Sequence, residues 1–250
     1  MNALRSRLLA AGIHLIVSAV IAVGVAVIIL GLWYPGDLGD MAGGRRLFLL
    51  VLGVDVVMGP LLTLVVFNTR KPRSELVRDL SVIAALQMAA LAYGLYTVYI
   101  ARPVALAYEG ARFRLVIAYD VRVEELPMAR VPYQKLSLTG PLIVGVRAAK
   151  SGEERLESLD LAFKGYDIGQ RPSLWQPYAD SRAAAYAEAK TVEQLMSRYP
   201  ARRSELEAKL RELGLTAVQA RYVPVLARGD WVAILDGNGD VQGYAPFDGF

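Results

Sequence analysis

Three apolar runs occupy the first hundred residues, and beyond them the pattern breaks into short strand-like and helix-like segments. Ala10–Tyr34 carries no charge, Leu47–Phe67 carries one, Asp55, and Leu80–Ile100 is uncharged with Gln87 inside it. At about 1.5 Å per residue each run matches the hydrocarbon core of a bilayer, and three transmembrane helices are expected. The first run follows Arg5 and Arg7, as the core of a signal peptide would. It is longer than such a core, however, and ends in Leu32-Trp33-Tyr34-Pro35 with no small-x-small cleavage site, so an uncleaved span is expected. Trp33 and Tyr34 are read as an interfacial anchor.

Two runs carry a stripe of small and polar residues. His14, Ser18, Ala22 and Ala26 recur every fourth position of the first, and Asp55, Gly59 and Thr63 of the second. Residues four apart stack on one helix face, and such a face in an apolar helix meets another helix rather than lipid. Gly59-Pro60 predicts a bend. A carboxylate at the depth of Asp55 costs roughly 2.5–3.5 kcal/mol on insertion scales and requires compensation. Three readings of it stand: an acid fixing the three-helix packing through Gln87 or Tyr93, a contact for a partner's membrane helix, or a group that moves protons or ions. His14, one turn inside the boundary, reads equally as an ordinary interfacial residue.

From Ala101 on, Val104–Glu109 and Phe113–Tyr119 flank Gly110 as a hairpin, and Leu136–Ala148 is a strand interrupted at Gly140-Pro141. Ser151–Tyr178 is polar and mixed and is read mostly as loop. Asp180–Tyr199 is read as one helix with Val192, Leu195, Met196 and Tyr199 on its apolar face, and Ala201–Leu213 as a second, stopped by Gly214. Ala220–Ala227, Asp230–Leu235 and Val241–Ala245 read as an antiparallel meander. The fold class is therefore a three-helix transmembrane bundle, 1–101, followed by a small α+β domain, 102–250.

Charge decides orientation. The amino end and the 68–79 segment hold six Lys/Arg against two in 35–46, so the first end and the 68–79 loop are placed in the cytoplasm and residues 101–250 on the opposite side, in a bacterium the periplasm. Those last 150 residues carry 20 basic and 19 acidic side chains, which gives no ground for nucleic-acid binding. The chain has no cysteine, and His14 is its one histidine. Thiolate chemistry and a His-based triad are thereby excluded, and neither a metal site nor a cofactor is expected. Asp236, Asn238 and Asp240 resemble the start of a calcium loop, but Val241 and Phe247 stand where that loop needs glycine and glutamate, and a hairpin turn is expected instead. The adjacent acids Glu124-Glu125 and Glu153-Glu154 are read as solvated.

Several segments together resemble the TfpX/TfpZ family of type IV pilin accessory proteins. They are Gly12-Ile13-His14-Leu15, Trp33-Tyr34-Pro35-Gly36, the run from Gly53 to Leu64, Ala92-Tyr93-Gly94-Leu95-Tyr96 and Ala101-Arg102-Pro103-Val104. The resemblance covers residues 10–110 and implies an inner-membrane, non-enzymatic protein. The implied partners are a cognate major pilin, whose apolar helix carries a glutamate one turn in from the cytoplasmic face, and the inner-membrane pilus machinery. On that basis His14, Ser18, Ala22, Asp55, Gly59, Thr63 and Gln87 are the expected partner-binding residues, with His14 shielding the pilin glutamate, in a chaperone (holdase) or regulator of pilin supply. The rivals are a membrane-anchored ligand sensor or small transporter subunit using Asp55, and a cell-wall anchor using exposed aromatics such as Trp175 and Trp231.

Overall fold

The computed structural model describes residues 3–250 and divides into two compact units, Met1–Ala101 and Arg102–Phe250. The first unit is helical: α1 (Ala3–Ile28), the short α2 (Leu38–Met41), α3 (Gly44–Gly53), α4 (Gly59–Val66) and α5 (Arg73–Ile100). α1 runs on through a π-helical turn at Ile29–Trp33, and a second π turn at Val54–Met58 joins α3 to α4 in one rod. The three resulting helices, Leu4–Trp33, Gly44–Val66 and Arg73–Ile100, are long and apolar enough to cross a membrane. α1 packs chiefly on α4, and α5 on α3 and α4, so the second rod lies between the other two. Their outward faces are apolar: Ile16, Val20, Val23 and Val27 of α1 are all exposed.

Tyr34 departs from the anchor expected of it. Its ring is buried against Gly44, where no side chain fits, and its hydroxyl donates to the Val98 carbonyl at 2.8 Å. A phenol that finds an acceptor loses its reason to stay at the interface. Trp33 is half-buried and packs edge-on against Tyr99.

The second unit is a mixed sheet with helices attached. Its strands are β1 (Pro103–Tyr108), β2 (Phe113–Ile117), β3 (Leu142–Val146), β4 (Trp175–Pro177), β5 (Lys190–Thr191), β6 (Arg221–Ala227), β7 (Gly229–Leu235) and β8 (Val241–Ala245). The order is β4-β3-β1-β2-β6-β7-β8, with β5 on β6. The β1–β2 hairpin and the β6–β7–β8 meander are antiparallel, whereas β1–β3 and β2–β6 are parallel. One core, around Trp175, Val144 and Tyr133, lies under β1–β3; another, around Leu195, Leu206 and Ile234, lies under β6–β8.

Two expectations fail here. Ser151–Tyr178 is not mostly loop: it holds α6 (Gly152–Phe163) and β4. Ser151 caps α6 by accepting from the Glu154 amide at 3.1 Å, a signal present in the sequence. The helix is turned inside out, however. Leu156, Leu159 and Phe163 form an outward stripe, Phe163 being 92% exposed, and its polar side holds it down. Arg147 grips Glu154 through both guanidinium ends at 2.9 and 2.6 Å, and Arg171 reaches Ser158 and Glu157. Nor is Asp180–Tyr199 one helix. α7 (Arg182–Glu188) stops before β5, and α8 (Val192–Arg198) starts from a Thr191/Gln194 capping box, because Lys190 and Thr191 pair with Tyr222 and Arg221 on β6. A last helix, α9 (Arg203–Glu212), packs Leu206 and Leu210 inward.

The Arg147 and Lys150 hydrogen bonds lower the Glu154 pKa from 4.5 to about 2. A carboxyl depressed in this way stabilises the fold fully above pH 4.5, and that contribution is lost as pH falls toward 2. Glu154→Gln is expected to lower the urea midpoint near neutral pH, and the gap from the wild type should close in paired titrations at about pH 2.

The Asp236–Asp240 segment is the expected turn. Asp236 Oδ1 accepts from the amides of Asn238 and Asp240, and Arg182 holds Asp240 at 2.9 and 3.0 Å. Glu125 is not solvated as expected: it is 2% exposed and bonded to Arg171 at 2.8 Å. Trp175, taken as an exposed aromatic in the anchor reading, is buried, with its indole N–H on the Gly169 carbonyl.

Candidate functional site

The two polar stripes of the sequence meet inside the first unit. His14 Nδ1 lies 2.6 Å from Thr63 Oγ1, tying α1 to α4. Thr63 and Ser18 are buried, Gly59 is buried, and His14, Ala22 and Gln87 are half-buried.

The middle of the second rod explains the rest. In a π turn each backbone bond spans five residues, so in this register the Asp55 carbonyl looks to the nitrogen of Pro60, which has no hydrogen. Gln87 of α5 supplies the missing donor, its Nε2 reaching the Asp55 carbonyl at 3.0 Å. Glycine at 59 makes the approach possible, since a Cβ there would come within 2.6 Å of Gln87 Cδ. Gly59→Ala is therefore expected to destabilise the detergent-solubilised protein by about 1–3 kcal/mol in thermal unfolding. Gly12→Ala, whose Cβ meets nothing within 4 Å, should be neutral or slightly stabilising.

The Asp55 side chain is different. Both carboxylate oxygens are sealed from solvent, and no described residue hydrogen-bonds to either. Gln87 bonds its main chain instead, and Tyr93, the other sequence candidate, is 74% exposed. Asp55 borders three cavities. One of about 160 Å³ lies between α1 and α5 and is lined by His14, Val17, Ser18, Ile21, Ala84, Gln87, Met88 and Leu91. Another, of about 20 Å³, is an inner pocket reaching Ser18, Ala22 and Phe48. A third, of about 210 Å³, lies on the α3–α5 side against Val51, Ala90, Tyr93, Gly94 and Thr97. Of the seven residues expected at a binding face, four line the α1–α5 groove, and Gly59 and Thr63 brace two of those four, Gln87 and His14. Ala22 borders the inner pocket.

The second unit carries a cleft of about 930 Å³. It opens where β5 stops pairing with β6 at Tyr222 and β2 starts at Val225, beside Pro224. Arg155 and Leu159 of α6 form one wall, Glu109 and Arg112 of the β1–β2 turn another, and Lys190 of β5 a third. Sequence reading misses this surface because it assigns α6 to loop. Among the described residues no group of three His, Asp or Glu side chains is placed to hold a metal.

A family described as "Fimbrial assembly protein FimB" matches residues 2–43. A curated protein of Dichelobacter nodosus named "Fimbrial assembly protein, serogroup E1" is 34% identical over 242 residues, covering 96% of this chain and 94% of the relative. The chain belongs to the fimbrial assembly protein family. The serogroup I protein of the same organism is 33% identical over the same shares of both chains. A third member, of serogroups C1 and C2, is 39% identical over 118 residues, 47% of this chain. No solved structure matches the chain significantly. Family membership extends over both units, whereas the segments singled out in the sequence stop near residue 110.

Proposed function

We propose that the protein is an inner-membrane accessory factor for assembly of a type IV pilus, of the TfpX/TfpZ kind, and that it holds a cognate pilin before the subunit enters the fibre. The observation that carries this reading is the α1–α5 groove, in which His14, Ser18, Asp55 and Gln87 line a slot between two helices in a family whose relatives are named for fimbrial assembly. Three candidate spans, with basic residues at the first end and in the 68–79 segment, support a periplasmic location for residues 102–250. There the cleft beside α6 and its outward Leu156, Leu159 and Phe163 offer a grip on the pilin head.

The groove suits an apolar helix carrying a glutamate. In the tautomer that accepts from Thr63 at Nδ1, the His14 ring carries a proton on Nε2 that it can donate to a carboxylate. A pilin acid otherwise stranded in hydrocarbon gains a partner there, and the protein acts as a holdase without covalent chemistry.

The chain has no cysteine, so single cysteines report cleanly. Val17 and Met88 border the groove and are exposed, while Ser18 faces inward. Val17→Cys or Met88→Cys is expected to crosslink to the pilin helix in membranes, and Val23→Cys, on the outward face, is not. Crosslinks from Val23 alone, or a reporter fused after Phe250 that is active only in the cytoplasm, would end the reading.

A further inference from the structure

Resting on the reading that a partner helix occupies the α1–α5 groove, we propose that this helix carries a side-chain hydrogen-bond donor which bonds the carboxylate of Asp55. Asp55 is thus the point at which the partner is selected. Both Asp55 oxygens are buried without a partner among the described residues. Protonation does not remove the problem: a neutral carboxyl has an O–H to place, and no described acceptor receives it. Buried polar groups in native proteins are almost always bonded, and in hydrocarbon the pressure to bond is greater. Gln87, the nearest side-chain amide, is committed to the Asp55 carbonyl. The missing donor therefore comes from outside the chain, and because both oxygens are closed off in the free chain it reaches them as the partner helix parts the side chains of the groove that Asp55 borders.

The position of this donor follows from the helix. Thr63 marks the level of His14, and Asp55 lies eight residues away on the same rod. At 1.5 Å per residue the separation is about 12 Å. The partner helix then needs its donor (a hydroxyl, amide or ammonium) about two turns from whatever meets His14. Ridges of Val17 and Ile21 on one side and Met88 and Leu91 on the other accept the apolar remainder.

The test uses the full chain in membranes with Met88→Cys as the capture probe. Asp55→Leu is expected to cut capture of the pilin helix at least about tenfold. The same substitution should leave the melting temperature of the purified protein, without partner, unchanged or higher, since an apolar side chain replaces an unpartnered polar one. A group that merely fixed the bundle would give the opposite pair of results. Asp55→Asn, which keeps shape and one acceptor oxygen, should lose capture a few-fold. It decides between the two roles if Asp55→Leu fails to accumulate, and wild-type capture by Asp55→Asn would overturn the proposal. Undiminished capture by Asp55→Leu, or a captured helix with no donor two turns from the His14 level, would overturn it while leaving the groove reading intact. No capture by the wild-type background would remove the groove reading itself. Stabilisation of the wild-type protein by sodium or potassium chloride over equal choline chloride would assign Asp55 to a cation and overturn the proposal.

Discussion

Glu125→Ala is expected to destabilise the second unit by about 3–5 kcal/mol, a large share of the stability of an ordinary domain. Glu125 and Arg171 are 2% and 3% exposed and meet at 2.8 Å, and Ser173 donates to the other carboxylate oxygen. Arg171 also binds Ser158 and Glu157, so one guanidinium joins the 123–128 turn to α6. Removing the acid leaves a buried cation whose attraction no longer offsets its lost hydration. The pair as such is worth much less, so Glu125→Leu combined with Arg171→Met should recover most of the loss. Thermal unfolding of the detergent-solubilised chain, followed by circular dichroism, measures both. The exposed Arg203–Glu207 pair on α9 is the control, whose removal should leave the midpoint nearly unchanged.

Trp175→Ala should cost a comparable 3–5 kcal/mol, roughly. The ring is 1% exposed, lies edge-on to Tyr133 and closes the core beneath β1 and β3. Its N–H satisfies the Gly169 carbonyl, and its backbone pairs with Val146 at the sheet margin. Truncation therefore opens a cavity and orphans an acceptor together. Trp175→Phe keeps most of the apolar contact and loses only the hydrogen bond, so about 1–2 kcal/mol is expected. Urea titration read by circular dichroism separates the two variants without relying on the deleted fluorophore.

The helical rods were legible because about twenty residues in a row with at most one charge leave few alternatives. The β1–β2 hairpin and the β6–β8 meander were legible from glycine turns between apolar runs. What escaped depended on partners distant in the chain. β5 is two residues long and exists because β6 pairs with it, so Lys190-Thr191 carries no strand pattern of its own, although the Thr191–Gln194 capping box signalled the break. α6 has a helical period in Leu156, Leu159 and Phe163, but in a segment whose polar residues outnumber them. The parallel pairings of β1 with β3 and β2 with β6 are set by chain crossovers that no local window contains. In the groove, the stripes at His14 and Asp55 were visible as every-fourth-residue patterns. That Gln87 bonds the carbonyl of Asp55 and not its carboxylate was not, because it follows from a π turn meeting a proline.

That turn decides where the second rod tolerates a change in length. A π bulge is in effect one residue more than an α-helix needs. Deleting a single residue between Val54 and Met58 would draw the rod back to even winding with α4 still facing its present neighbours, because the bulge takes up its extra residue locally. A residue added to α4 between Gly59 and Thr63, where no bulge takes it up, would instead turn Thr63 by about 100° away from His14, and the two halves of the rod would no longer present their polar groups to the same neighbours.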